Sequence, residues 1–370
     1  MHDQLIPAAK PLIGDEEVAA VERVLRSGML AQGAEVAAFE EEFAAQFLRG
    51  RTTVAVNSGT SGQLLGLIAA GVGPGDEVIV PSFTFAAVAN SVVLAGATPV
   101  FADIEPVHFT LDPEHVRALV TPRTKGVMPV HLYGHPFLVD GIEEVAAAYG
   151  LAIFEDAAQA HGASWRGRPA GTIGSFAMFS LYPTKNMTAI EGGMVACADE
   201  GIARRVRLLR NQGMETQYAN EIVGYNNRMS EVHAAVGRVQ LRKVAAWTAQ
   251  RQRNAAVLDA ALDGIDGLTV PRVAEGAEHV YHQYTVRIAD GERDRVRAAL
   301  REEHGVGTGV YYPIPNHRLP SLTRYAQGVE LPETERAAAE VLSIPVHPSL
   351  TEGELDRVVS GLTATMSAGG

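Results

Sequence analysis

The sequence predicts an α/β fold, with a mostly parallel central sheet covered by helices on both faces and a smaller C-terminal α+β domain. Three observations carry this. Short apolar runs alternate with longer helical ones between residues 53 and 198, the βαβα rhythm of a parallel sheet. The short runs are continuous, as in Val78-Ile79-Val80, Ala152-Ile153-Phe154 and Met194-Val195-Ala196, which suits strands buried on both faces. Beyond about residue 228 the rhythm gives way to one long helical stretch and scattered short elements.

Taken in order, helix signals cover Asp15–Arg26, after Gly14, and Glu35–Phe47. Strands are expected at Thr53–Asn57, Glu77–Val80, Thr98–Ala102, Thr124–Val130, Leu151–Glu155, Phe176–Ser180 and Gly193–Ala198. Helices at Ser61–Ala70, Phe85–Ala95 and Ile142–Tyr149 separate them. Arg228 to about Leu262 reads as one long helix or a broken pair. Leu268–Pro271 and Tyr281–Ile288 read as strands, Asp294–Glu303 as helix, Thr308–Tyr312 as extended chain and Glu354–Met366 as helix. The expected division is an arm over residues 1–14, a large domain over 15–242 and a small one over 243–370.

The 370 residues provide ample material for a buried core. A net charge of -12 argues against general nucleic-acid binding, which needs a surplus of Lys and Arg. Cys197 is the one cysteine, so no intrachain disulfide can form, as suits a reducing cytoplasm. No apolar run has signal-peptide or membrane-spanning character, so a cytoplasmic location without membrane contact is expected.

Chemistry concentrates in three segments. The apolar run ending at Phe154-Glu155-Asp156 places a carboxylate at the carboxyl end of a strand, where parallel sheets bind ligands. Such a group either caps the next helix or holds a protonated ring nitrogen, as a pyridoxal phosphate ring requires. Some thirty residues on, Ser180-Leu181-Tyr182-Pro183-Thr184-Lys185-Asn186 sets a lysine between two apolar segments. Desolvation there favours the neutral amine that attacks an aldehyde; the alternative is a solvated surface lysine. Third, Ser58-Gly59-Thr60-Ser61-Gly62 joins a strand to a helix. It suits a phosphate at a helix N-terminus as well as an ordinary cap.

In this order, EDAAQAHGA (Glu155–Ala163) and SLYPTKN (Ser180–Asn186), with SGT at Ser58, PSFTF at Pro81, GYNNRMSE at Gly224, YYPIP at Tyr311 and IPVHPSL at Ile344, resemble the sugar aminotransferases of the DegT/DnrJ/EryC1/StrS group. These are fold-type I pyridoxal-phosphate enzymes, and the resemblance spans nearly the whole chain. It implies Lys185 as the lysine that carries pyridoxal 5′-phosphate and shuttles the proton. Asp156 would pair with the ring nitrogen, and Gln159 would lie against the ring and its 3-hydroxyl. Phe85 would stack on the opposite face, and Gly59, Thr60 and Ser180 would hold the phosphate. Asn226 would reach the phosphate from a second subunit of a homodimer with shared active sites. Asn227 departs from the aromatic common at that place. The implied reaction moves an amino group from glutamate, leaving 2-oxoglutarate, to a nucleotide-linked keto deoxysugar carried on dTDP or UDP.

Tyr182, Tyr312 and His317 are expected to touch substrate. Asn316-His317-Arg318-Leu319-Pro320 differs from the segment common in the C-3 members of the resembled group, and that difference implies a lean toward amination at C-4 of a dTDP-4-keto-6-deoxyhexose. The sequence His131-Leu132-Tyr133-Gly134-His135 mimics a metal pair, but that spacing needs a helix and a strand and turn are expected here, so no metal is anticipated. One of His282, Gln283 and Tyr284 is a candidate for the sugar site. The basic run from Arg204 to Arg210 reads as a solvated helix face. Two rival readings are a pyridoxal-phosphate sugar dehydratase, whose relatives can replace the lysine by His, and a non-catalytic cofactor-binding regulator.

Overall fold

The computed structural model describes residues 5–368. Helix α1 (Asp15–Ser27) starts at a box in which Glu17 returns a carboxylate to the Gly14 N–H, and α2 (Ala34–Phe47) follows. Then come β1 (Thr53–Val56), α3 (Gly59–Ala69), β2 (Glu77–Pro81), α4 (Ala87–Leu94), β3 (Thr98–Ala102), α5 (Pro113–Leu119), β4 (Thr124–Val127), α6 (Val139–Tyr149) and β5 (Ala152–Asp156). Two short strands, β6 (Ser164–Trp165) and β7 (Arg168–Pro169), precede β8 (Phe176–Ser180), β9 (Gly193–Cys197) and α7 (Glu200–Arg210). A small hairpin, β10 (Met214–Thr216) and β11 (Ala219–Asn220), leads into α8 (Glu231–Leu262). The chain ends with β12 (Leu268–Thr269), β13 (Ala277–Glu278), β14 (Tyr284–Ile288), α9 (Arg293–Glu302), α10 (Pro332–Glu340), β15 (Val341–Ile344) and α11 (Glu352–Ser367).

Seven strands form the central sheet in the order β1-β9-β8-β5-β4-β2-β3. Only β9 runs against its neighbours, so the sheet is mostly parallel. One apolar layer packs Leu65, Leu67 and Val88 of α3 and α4 on Val54, Val80 and Phe154 of the sheet. Another packs Phe39 and Phe43 of α2 and Leu241 of α8 on Ala55, Ala177 and Phe179. Both faces are therefore covered, which accounts for the uniformly apolar strands.

Helix α8 is a single helix of 32 residues, capped by Ser230, and it is unbroken across residues 242 and 243. Its first half packs Ala234 and Val244 into the sheet layer. Its second half sends Ala255, Leu258 and Leu262 into a separate core with Tyr284, Val286, Leu342 and Val358. That core is built on an antiparallel sheet, β12-β14-β15. Ile6 also belongs to it: its N–H donates to Gly305 O and its carbonyl accepts from Gly307 N. Ala8 and Ala9 then border the main cavity, and Leu12 O accepts from Gln240 Nε2 on α8.

Some expected bounds shift for physical reasons. The strand from Thr124 stops at Val127, just before Pro129, which has no N–H to donate; Val130 bridges Asp156 beyond that gap. The strand expected from Tyr281 begins at Tyr284, because Tyr281 turns the chain at φ 44°. Helix α10 and strand β15 follow one another with no turn residue between them, which hid both.

Close approach of α3 to the sheet requires small residues on its inner face. A Cβ on Gly66 would stand 2.4 Å from the Phe176 ring, and one on Gly59 would stand 2.9 Å from Met178 Sδ. Gly66→Ala is expected to destabilise the fold by about 1–3 kcal/mol through overpacking, read as a lower midpoint in thermal or urea unfolding.

Candidate active site

Strand β5 lies at the centre of the sheet and β8 beside it. Their carboxyl ends deliver Asp156 and, a short loop later, Lys185. The backbone at Asp156 is fully engaged: its N–H donates to Pro129 O, and its carbonyl accepts from His131 N. Its carboxylate accepts from Gln63 Nε2 at 2.6 Å on Oδ2 and from Ala158 N at 2.9 Å on Oδ1. Burial raises the Asp156 pKa above the usual carboxylate value; those two donors and the charges of Lys185 and His131 oppose it.

The loop after β8 is pinned on both sides of the lysine. Lys185 N donates to Tyr182 O, and Asn186 Nδ2 donates to Val280 O. Asn186 Oδ1 meets His282 Nδ1 at 3.2 Å. Burial pulls the Lys185 amine down to about 8, with Asp156 holding it partly up. A substantial neutral fraction is therefore present near neutral pH. His282 is kept uncharged by burial and by the Lys185 charge.

Both groups open onto one cavity of about 420 Å³ at the carboxyl ends of the strands. Gly59, Thr60 and Ser180 line it, where α3 points its N-terminus inward with no acidic residue in its first turn. Ser58 caps α3 by accepting from Ser61 N, so capping and anion binding coexist at this turn. The Gly59 and Thr60 N–H groups precede the first rung of the helix ladder and suit an anion. Phe85 stands at the rim, its ring 6.0 Å from that of Tyr312. Gln159 accepts from Tyr133 N at 2.6 Å and donates to the Tyr312 hydroxyl at 3.3 Å. Tyr182, half-exposed, also borders the cavity.

Nine of the expected site positions line this one cavity, Gly59, Thr60, Phe85, Asp156, Gln159, Ser180, Tyr182, Lys185 and Tyr312, and His282 and Gln283 line it beside them. Two do not join them. His317 is fully buried elsewhere, with Nδ1 2.6 Å from Ser82 Oγ and Nε2 3.1 Å from Glu335 Oε1. The short turn Asn316–Arg318 rotates its imidazole onto the end of β2, away from the cavity where substrate contact was expected of it. Asn226 is exposed, outside this chain's cavity, and paired through its backbone with Asn211. Tyr284 turns away and donates its hydroxyl to Asp259. His131 and His135 are committed separately, to Glu155 and to the Pro136 carbonyl. Gln63 and Glu191 were missed in the sequence. Gln63 was detectable as the one long polar side chain in the otherwise small and apolar α3, four residues after Gly59 and so on the same helix face.

The donor set fits pyridoxal 5′-phosphate. There is an amine with lowered pKa, a buried carboxylate for a ring nitrogen, a helix N-terminus for a phosphate, and an unpartnered buried acceptor, Gln63 Oε1, beside the carboxylate. Fold and site together define a pyridoxal-phosphate-dependent transferase. The DegT/DnrJ/EryC1/StrS aminotransferase family matches residues 11–363, and the chain belongs to it. It is 42% identical over 360 residues to a Streptomyces venezuelae protein named dTDP-3-amino-3,4,6-trideoxy-alpha-D-glucose transaminase, covering 96% of this chain and 94% of that one. It is 41% identical to a Geobacillus stearothermophilus protein named pleiotropic regulatory protein, covering 92% and 91%. Among solved structures, S. venezuelae DesV superposes with a TM-score of 0.90 at 42% identity, covering 95% and 94%. The PLP-form of Spr1654 from Streptococcus pneumoniae superposes with a TM-score of 0.92 at 26% identity, covering 98% of this chain and 99% of that one. The protein is a pyridoxal-phosphate-dependent aminotransferase.

The depressed Lys185 pKa has a direct readout. Covalent capture of pyridoxal phosphate by the cofactor-free chain, followed by near-visible absorbance, is expected to quicken with rising pH through a midpoint near 8. Lys185→Arg should show no such band.

Proposed function

We propose that this chain transfers an amino group from glutamate to a nucleotide-linked keto deoxysugar. The observation that carries the reading is the placement of the Lys185 amine and the Asp156 carboxylate on the wall of one cavity, at neighbouring strand ends. When bound, the cofactor supplies an electron sink at the carbon bearing the migrating amino group.

The chain's own residues do the rest. Asp156 keeps a negative charge at the cavity floor, where a ring nitrogen must stay protonated. Gly59, Thr60 and Ser180 hold the phosphate by N–H and hydroxyl donors at the start of α3. Phe85 would cover one face of the ring, and Gln159, held by Tyr133 N, would fix the edge bearing the 3-hydroxyl. Lys185 Nζ would hold the cofactor and, as the amine facing the cavity, would move the proton between the two carbons that exchange the amino group. A well-placed acid/base group of this kind is worth about 100- to 10,000-fold in rate. Tyr182, Tyr312, His282 and Gln283 line the remaining space, where the sugar would lie; Gln283 Oε1 is buried without a partner and can accept from a sugar hydroxyl.

Amination at C-3 of a dTDP-linked sugar is the form we favour. The lean toward C-4 rested on the segment around His317, and that side chain is buried away from the cavity. The 42%-identical transaminase is named for a 3-amino sugar. A purely regulatory role has support in one relative's name, but it gives no reason for an amine with a pKa near 8 facing a ligand cavity. A dehydratase role is disfavoured by the retained Lys185. A homodimer is part of the proposal. Val18, Leu25, Met29, Tyr218 and Val223 present apolar surface to solvent, and exposed Asn226 would serve the partner's phosphate site.

Glutamate alone is expected to bleach the near-visible band of the loaded protein in a single half-reaction. Lys185→Ala should lower turnover by at least about 100-fold. Product NMR after incubation with dTDP- and UDP-linked 3-keto and 4-keto sugars should place the amine at C-3; an amine found only at C-4 would reverse that assignment.

A further inference from the structure

We propose that Gln63 is a positioning residue for Asp156: its amide holds the carboxylate in the ionised form and fixes the lone pairs that face the cofactor. The proposal rests on reading the cavity as the pyridoxal-phosphate site.

Gln63 is 1% exposed, yet it borders the cavity from the second turn of α3. Its Nε2 donates to Asp156 Oδ2, and Ala158 N donates to Oδ1. Each carboxylate oxygen thus takes one donor from the protein and keeps a lone pair for a ligand. The amide orientation follows from the charge, since an amide turned over would set Oε1 against an anionic oxygen. In the orientation adopted, Oε1 is buried without a partner. A buried acceptor left unmatched is costly, and this one lies on a ligand cavity beside the atom that must receive a ring N–H.

Asp156 needs this help because its surroundings pull both ways. Burial favours the protonated acid. Of the groups that face it, Lys185 loses its charge above about 8 and also when its amine is engaged by the cofactor. His131, from the segment after β4, is committed to Glu155. Tyr312, from the loop before α10, stays neutral because burial raises its pKa, with the Asp156 charge adding to this. Among the described residues, only Ala158 N–H and the Gln63 amide donate to the carboxylate at every pH. Removing the amide leaves one such donor, and Asp156 then takes up a proton at a higher pH.

The test is the affinity of the full-length protein for pyridoxamine 5′-phosphate, which binds without attachment to Lys185, measured by calorimetry from about pH 6 to about pH 8.5. Gln63→Met keeps the side-chain length and removes both amide functions; Gln63→Leu removes them in a shorter, branched side chain. The ligand's own titrations cancel in the ratio of variant to native Kd. A raised Asp156 pKa makes that ratio climb as the pH falls, towards a limit of about tenfold per pKa unit once the pH is below both values, and we expect a ratio that is larger at the acid end than at the alkaline end for both variants. A ratio constant with pH, whatever its size, would mean a packing role and would overturn the proposal. Failure of the native protein to bind the ligand would overturn the cofactor reading as well.

Discussion

A carboxylate buried at the end of the central strand is the constraint around which the rest is arranged. The Asp156 charge is balanced by an amide, a backbone N–H and the fields of Lys185 and His131. Alternation along β5 sends its neighbour to the opposite side. There Glu155, equally buried, accepts from the N–H groups of Gly171, Ile173 and Gly174 and faces His131. Burial pushes the Glu155 pKa up, but His131 and these backbone donors outweigh it and bring the net value down. Two adjacent acids in one strand thus take opposite shifts. The one surrounded by committed donors is structural, and the one left partly unsatisfied is poised for a ligand.

The cavity is not the property of one core. Its floor comes from β5 and β8, one end from the N-terminus of α3, and its far wall from Tyr311, Tyr312, Ser343 and Val346. Helix α8 ties these parts together by running through both apolar layers. The Tyr133 hydroxyl, which donates to Tyr311 O, adds a polar tie across the same seam. Geometry between Lys185 and the side chains of the far wall is therefore set by packing on two sides, with little left to the loops themselves.

How much of this was readable beforehand depended on the kind of signal. Lys185, Asp156 and the turn at Ser58 were legible because each combines an apolar run with a break in it, and a strand end is a local event. His317 was not, because its local sequence is polar and loop-like while its environment is decided by Ser82, far away in the chain. Gln63 was passed over because a helix read only for its apolar content hides the one side chain that points at a carboxylate. Among the elements, β15 was missed because it begins where α10 ends, with no Gly, Pro or Asn to mark the change.

The anchoring of Ile6 has an implication for how the molecule is made. Its backbone partners are Gly305 and Gly307, and the neighbouring Pro7 carbonyl is met by His347. During synthesis the segment carrying Ala8 and Ala9 leaves the ribosome long before those partners exist. It must wait, unpaired, while the parallel sheet assembles. Such long sequence separation slows assembly, so closure of this edge of the pocket belongs to the last stages of maturation, after α9 and β15 have been released.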